Sequence, residues 1–79
     1  MPFKIIEGYR IGFYSSDEFE PPHVHVLRSG NEAKIWLEAI RLEYNHGYNQ
    51  REMKRVLDLV REHQPHLLEM WHEHFKYSS

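Results

Sequence analysis

Two histidines stand close together in the segment PPHVHV, which covers residues 21–26. If this segment is an extended strand, the side chains of His23 and His25 point the same way, roughly 6–7 Å apart at the backbone. The residues alone leave three uses of such a pair open: acid–base catalysis, metal binding, and ordinary structural hydrogen bonding.

The catalytic hypothesis is metal-independent cleavage of RNA. Two imidazoles can remove one proton and supply another when a 2′-hydroxyl attacks the neighbouring phosphodiester. The phosphate oxygens then need cations, and the bases need rings to stack on. The candidate acid–base pair is His23 and His25, and the candidate substrate-binding residues are Arg10, Tyr14, Lys34 and Trp36.

A metal site is the second hypothesis. The chain has no cysteine, so any ligands must be histidines or carboxylates. His23 and His25 could supply two ligands, with Glu32, Asp17 or Glu18 as a third. Because the sequence shows no carboxylate cluster, it favours no metal and no cofactor. If an ion does bind, the expected ligands are His23, His25 and Glu32.

Length and composition predict a small domain without a membrane segment. The 79 residues suit one domain, residues 1–79, and their 41% apolar content is enough to form a core. A formal net charge of −2 gives no overall basic field for nucleic acid. No apolar run has membrane-spanning length and the first residues lack a signal-peptide pattern, so we expect a cytoplasmic protein.

The hydrophobic period changes along the chain, which predicts an α+β fold. Alternation with period two predicts a three- to four-stranded antiparallel sheet over about residues 3–43. A helical period then predicts two helices, at about residues 50–63 and 65–76, which cover one face of the sheet. Asn49 is the expected N-cap of the first helix, with Glu52 completing a capping box.

The alternation also assigns side chains to the two faces of the sheet. The covered face is expected to carry Ile11, Phe13, Val24, Val26, Ala33, Ile35 and Leu37. The other face, which is expected to be open to water, carries Arg10, Tyr14, His23, His25, Glu32, Lys34 and Trp36. The candidate chemistry therefore belongs to the face away from the helices.

The order of these motifs resembles a known family. GYRIGFYSSDEFEPPHVHV, then EAKIWL, then HLLEMWHEHF is similar to the small prokaryotic domain-of-unknown-function family 4160, over about residues 8–76. The family signature falls on Tyr14, Ser15, Asp17, Pro21, Pro22, His23, His25, Glu32, Ala33, Lys34 and Trp71. The resemblance implies a component of a type II toxin–antitoxin-like pair, and therefore a small cognate protein partner.

The leading expectation combines these lines of reasoning. It is a cytoplasmic member of such a pair whose working surface is the histidine face, with RNA as the candidate substrate. The alternatives are a non-catalytic module that binds protein or nucleic acid, and a histidine-based binder of divalent metal. A homo-oligomer is compatible with each of them, and a membrane partner with none.

Overall fold

The computed structural model describes residues 2–76 and has an α+β fold. The elements are β1 (Phe3–Ile6), β2 (Tyr9–Gly12), a 3₁₀ helix (Ser15–Phe19), β3 (His23–Arg28), β4 (Asn31–Trp36), β5 (Arg41–His46), α1 (Gln50–Glu62) and α2 (Gln64–Phe75). The predicted antiparallel sheet followed by two helices is confirmed. The prediction of three to four strands is wrong, because the sheet has five strands in the order β1-β2-β3-β4-β5.

The additional strand is β1, which pairs with β2 through a two-residue turn. Glu7 and Gly8 both have positive φ, at 51° and 87°, as a hairpin turn of the primed type requires. Glycine adopts this conformation readily, but glutamate does so rarely. The turn therefore gave no clear signal in the sequence. The sheet also extends past residue 43, because β5 continues to His46.

The helices cover one sheet face, as the periodicity predicts. Asn49 caps α1, where its Oδ1 accepts a 2.8 Å hydrogen bond from the backbone N–H of Glu52. The buried side chains of the covered sheet face are Tyr9, Ile11, Phe13, Val24, Val26, Ala33, Ile35 and Leu37. Those of the helices are Met53, Val56, Leu59, Val60, Leu67 and Trp71. Within residues 2–76, no helix has both the length and the apolarity needed to cross a membrane.

The opposite face carries the histidines, but it is not fully open. The strand register places His23 beside Trp36 and His25 beside Lys34, so the predicted sharing of a face is correct. The chain between β2 and β3 folds back as a 3₁₀ helix, and its Asp17 reaches both imidazoles. The His23 ring also packs against Trp71 of α2, and the His25 ring against Tyr14. Both histidines are therefore buried, which corrects the expectation that they face water.

Candidate metal centre

Three potential metal ligands converge beneath the 3₁₀ helix. Oδ2 of Asp17 lies 3.2 Å from Nε2 of His23 and 3.2 Å from Nε2 of His25. One ligand atom from each of the three residues lies within 4.8 Å of the others. His23 is 0% exposed, His25 is 6% exposed, and the Asp17 side chain is 13% exposed. The cluster is thus almost closed to solvent.

His23 presents an unpartnered nitrogen to this cluster. Its Nδ1 lies 2.9 Å from the carbonyl oxygen of Pro21, which can only accept, so Nδ1 carries the proton and donates. In the neutral imidazole, Nε2 then bears a lone pair. That atom is buried and has no hydrogen-bond partner among residues 2–76. A lone pair that faces a carboxylate is unfavourable unless a positive species lies between them.

His25 has acceptors at both ring nitrogens. Its Nδ1 lies 3.1 Å from Oε2 of Glu32, and its Nε2 lies 3.2 Å from Oδ2 of Asp17. The hydroxyl of Tyr44 donates to the same Glu32 oxygen. Metal-bound histidines commonly donate their outer N–H to a carboxylate or a backbone carbonyl, which fixes the ring orientation. Both histidines of the cluster have such an outer partner.

Asp17 is fixed by the backbone of the 3₁₀ helix. Its Oδ2 accepts a 2.8 Å hydrogen bond from the N–H of Tyr14, and its own N–H donates to the Tyr14 carbonyl at 2.9 Å. Burial raises the pKa of Asp17, but the hydrogen bond from the Tyr14 N–H and the charges that His23 and His25 carry when protonated outweigh it, so the pKa is lowered from its ordinary value. The carboxylate is therefore ionised, as a metal ligand must be.

The spacing of the three donors fits a first-row divalent ion. Zinc binds histidine nitrogen and carboxylate oxygen at about 2.1 Å, so neighbouring donors of a tetrahedral site lie about 3.4 Å apart. The two 3.2 Å separations between Asp17 and the histidines are close to that value. Glu32, the third ligand expected from the sequence, instead lies on the outer side of His25. Asp17 takes the inner position.

The predicted substrate-binding residues are distributed around this cluster. Lys34 forms a 2.6 Å ion pair with Glu20 and lies 4.9 Å from the Trp36 ring. The indole N–H of Trp36 donates to Glu43. Lys34 and Trp36 are therefore near the cluster but already have acidic partners.

Tyr14 and Arg10 lie toward the other side of the same sheet face. The Tyr14 ring packs on His25 with 4.9 Å between ring centroids, and on Phe3 with 5.2 Å. Arg10 is further along the face, with its guanidinium 5.6 Å from the centroid of the Phe3 ring. The structure thus joins His25 and Tyr14 directly, whereas Arg10 belongs to a separate region.

Sequence reasoning did not identify Glu20 or Tyr44 as site residues. Glu20 has no distinctive spacing, since its role depends on the bend at the end of the 3₁₀ helix. Tyr44 reaches the site because it pairs with Lys34, just before a register irregularity between Lys34 and Ile35. No motif signals such an irregularity. Asp17 had a signal, because it was one of three carboxylates close enough in sequence to supply a ligand.

Comparison with known proteins identifies one family. A family model described as Domain of unknown function (DUF4160) matches residues 8–72. This match confirms the resemblance seen in the motifs and covers every residue of the cluster. No curated protein and no solved structure matches the chain.

Proposed function

The chain belongs to the DUF4160 family, and we propose that this member is a domain that binds one divalent metal ion at Asp17, His23 and His25. The buried, unpartnered Nε2 of His23 is the observation that carries the proposal. A metal ion placed between this nitrogen and Asp17 accepts the lone pair and balances the carboxylate charge. A proton on Nε2 would instead form an ion pair with Asp17 across the same 3.2 Å, and the metal titration distinguishes the two cases.

The ligand types indicate which ions fit. Two imidazoles and one carboxylate suit Zn²⁺ and neighbouring first-row ions, whereas Mg²⁺ and Ca²⁺ prefer oxygen ligands alone. Three protein donors leave a fourth tetrahedral position for water or another ligand, as in catalytic zinc sites. We therefore expect a site that exchanges one ligand, in a domain that folds without metal around its own apolar core.

Burial also supports ligation over acid–base catalysis. A catalytic pair must reach the proton that it transfers, within hydrogen-bond distance or through one water. His23 is fully buried and His25 nearly so, with Asp17 between them and the solvent side. A phosphodiester would have to displace side chains that pack on the rings, such as Tyr14 on His25, to reach them. Metal ligation requires no such displacement.

The test is a metal titration of the purified chain. The chelator-treated protein is titrated with Zn²⁺ in competition with a chromophoric chelator, and bound metal is measured by elemental analysis. We expect one ion per chain, with binding at this site abolished in Asp17→Asn and His25→Gln. Substitution by Co²⁺ gives a visible spectrum that reports the coordination number independently.

A matched control comes from the other potential ligand group among residues 2–76, the more exposed Glu7, Glu62 and His63. His63→Gln removes a histidine from that group and leaves the proposed centre intact. Binding that is unchanged in His25→Gln, or that disappears in His63→Gln, overturns the proposal. RNA cleavage that persists in Asp17→Asn but not in His25→Gln would restore the acid–base hypothesis.

A second proposal concerns a protein partner, as expected for a toxin–antitoxin-like pair. Phe19 is 88% exposed at the end of the 3₁₀ helix that supplies Asp17. Aromatic side chains, phenylalanine among them, are enriched at the buried core of protein interfaces relative to the rest of the surface. We propose that a small cognate protein covers Phe19 and thereby holds the 3₁₀ helix against the metal centre.

Induced expression in bacteria tests this second proposal. We expect growth arrest by the wild-type chain, relief by His25→Gln at equal soluble level, and neutralisation by the co-expressed cognate protein. Phe19→Ser should prevent neutralisation without preventing arrest, because Phe19 lies outside the metal cluster. Equal growth of the wild-type and His25→Gln cultures would contradict a toxin role.

A further inference from the structure

A cavity opens on the histidine face, one side chain away from the metal centre. Its volume is about 410 Å³, within the range of small-molecule sites. It is lined by Phe3, Lys4, Ile5, Arg10, Tyr14 and Leu27. The Tyr14 ring forms the boundary between the cavity and the centre, since it packs against Phe3 on one side and His25 on the other.

The surfaces of the cavity are apolar and aromatic. The strand register places Ile5 opposite Arg10 and Arg10 opposite Leu27, so these three side chains form one row across the sheet. Ile5 is 75% exposed, which is unusual for a large aliphatic side chain in a strand. Together with the Phe3 and Tyr14 rings, these residues provide a surface on which a planar apolar group can lie.

The available charge in the cavity is positive. Arg10 is exposed, and its guanidinium lies over the Phe3 ring with no ion pair recorded to any of residues 2–76. The ammonium of Lys4 donates instead to Nε2 of His66, 2.8 Å away. No carboxylate lines the cavity within the described part of the chain. An anion placed beside Arg10 would therefore meet a free guanidinium fork. Glu32 follows Leu27 in the same row and lines an adjoining cleft with Arg10, but it does not line this cavity.

From these contacts we infer that the cavity binds a small organic anion whose anionic group pairs with Arg10 and whose planar apolar ring packs on Phe3, Leu27 and Tyr14. The proposal does not depend on the metal, because none of the three ligands lines the cavity. A ligand there would lie beside the Tyr14 ring, and its far end could reach toward the centre.

Phenyl phosphate is the probe, because it combines a planar ring with one anionic group. Inorganic phosphate and phenol are the matched half-ligands. In a titration followed by backbone amide NMR, we expect saturable shifts at Phe3, Arg10 and Leu27. Each half-ligand should bind at least about tenfold more weakly than phenyl phosphate, since it lacks one of the two contacts.

Two arginine variants distinguish binding in the cavity from non-specific electrostatic attraction of the anion to the protein surface. Arg10→Gln should weaken phenyl phosphate binding by about tenfold or more. Arg28→Gln is the control, because Arg28 also lies over an aromatic ring, that of Tyr9, but does not line this cavity. Equal effects of the two substitutions, or no saturation at about 10 mM ligand, overturn the proposal.

The same titration is repeated with metal-free Asp17→Asn. If this variant still binds phenyl phosphate, the cavity binds its ligand independently of the metal. If the wild-type chain binds metal but not phenyl phosphate, the cavity proposal is wrong and the metal proposal stands. If the resonances of Phe3, Ile5 and Leu27 shift on dilution without ligand, a second copy of the chain occupies the cavity. That result also overturns the proposal.

Discussion

The hydroxyl of Tyr44 donates a 2.5 Å hydrogen bond to Oε2 of Glu32. The same oxygen lies 3.1 Å from Nδ1 of His25, so Tyr44 and His25 converge on one carboxylate atom. Burial, followed by the hydrogen bond and charge of Glu32, raises the pKa of Tyr44 well above its ordinary value. Tyr44 therefore remains a donor throughout the neutral range and holds Glu32 in place behind His25.

Tyr44→Phe should weaken metal binding while leaving the three ligands in place. Loss of the outer hydrogen-bond partner of a metal ligand typically lowers metal affinity by about tenfold to a hundredfold. Because Tyr44 holds that partner, Glu32, and does not replace it, we expect a loss of about tenfold or less. The measurement is the competitive Zn²⁺ titration described above. Tyr48→Phe is the matched control, because the Tyr48 hydroxyl bonds to the Val26 carbonyl, away from the cluster. Equal affinity in wild type and Tyr44→Phe would show that Tyr44 has no part in positioning His25.

Zn²⁺ should raise the melting temperature of the wild-type chain and not that of Asp17→Asn. A ligand present at about a hundred times its dissociation constant stabilises the folded state by about 2.7 kcal/mol. In a domain of this size that corresponds to a rise of more than about 10 °C. Thermal unfolding followed by circular dichroism, with Zn²⁺ or with chelator, measures the difference. A rise of the same size in Asp17→Asn would place the stabilising ion elsewhere.

Stability should fall in alkaline solution because of Tyr48. Burial of Tyr48, whose hydroxyl donates to the Val26 carbonyl, raises its pKa from 10.0 to about 12. Since the folded-state pKa is the higher one, this stabilisation is complete below pH 10 and is lost as the pH rises to about 12. The loss is on the order of 2 kcal/mol. Urea unfolding at several pH values tests this.

Tyr48→Phe removes this source of alkaline sensitivity. Its unfolding free energy at neutral pH should be lower by about 1 kcal/mol, because the Val26 carbonyl loses a donor. Between pH 10 and about 12 its free energy should fall less steeply than that of wild type. Parallel curves for the two proteins over that interval would contradict the assignment.

Gly12→Ala should loosen strand β1. A Cβ at Gly12 would overlap the Pro2 carbonyl oxygen, the Phe3 Cα and the Phe3 ring. The backbone atoms cannot move without disturbing the pairing of Phe3 with Gly12, so we expect a destabilisation of about 1–3 kcal/mol. Chemical denaturation measures it. Gly30→Ala is the comparison, since its added Cβ meets no atom but its φ of 82° is itself unfavourable for alanine.

The second readout of Gly12→Ala is ligand binding, because a displaced Phe3 ring no longer completes the cavity wall. Phenyl phosphate should therefore bind more weakly in this variant, whereas Gly30→Ala should bind it normally. Wild-type stability of Gly12→Ala would show that Phe3 moves aside at little cost.

The sequence predicted which side chains lie on each face of the sheet, but not that a 3₁₀ helix covers the histidine face. Val24 and Ile35 were assigned correctly to the core, because alternation fixes which face a strand residue occupies. The same alternation placed His23 on the opposite face, but could not show that residues 15–19 fold over it. The position of a short 3₁₀ helix depends on hydrogen bonds such as that from the Tyr14 N–H to Asp17, which no periodicity encodes.

The sequence could not rank Glu32 and Asp17 as candidate third ligands for a related reason. Glu32 and Asp17 are both close to the histidines, and spacing cannot tell an inner ligand from an outer hydrogen-bond partner. That distinction depends on which ring nitrogen each carboxylate faces. The β3–β4 register places Glu32 beside Nδ1 of His25. The chain reversal after β2 places Asp17 beside Nε2.

The meander order of the sheet has a consequence for how the chain folds. Each strand pairs with its neighbour in sequence, so the sheet can grow by successive hairpins without long-range loop closure. Asp17, His23 and His25 are joined by less than ten residues of chain, and none of them comes from α1 or α2. The three ligands can therefore approach one another before α1 and α2 dock. Packing of the His23 ring on Trp71 of α2, with 5.1 Å between the ring centroids, then completes the burial of the cluster. An ion captured at that stage would speed folding and leave the unfolding rate nearly unchanged, because it would stabilise the transition state as well as the native state.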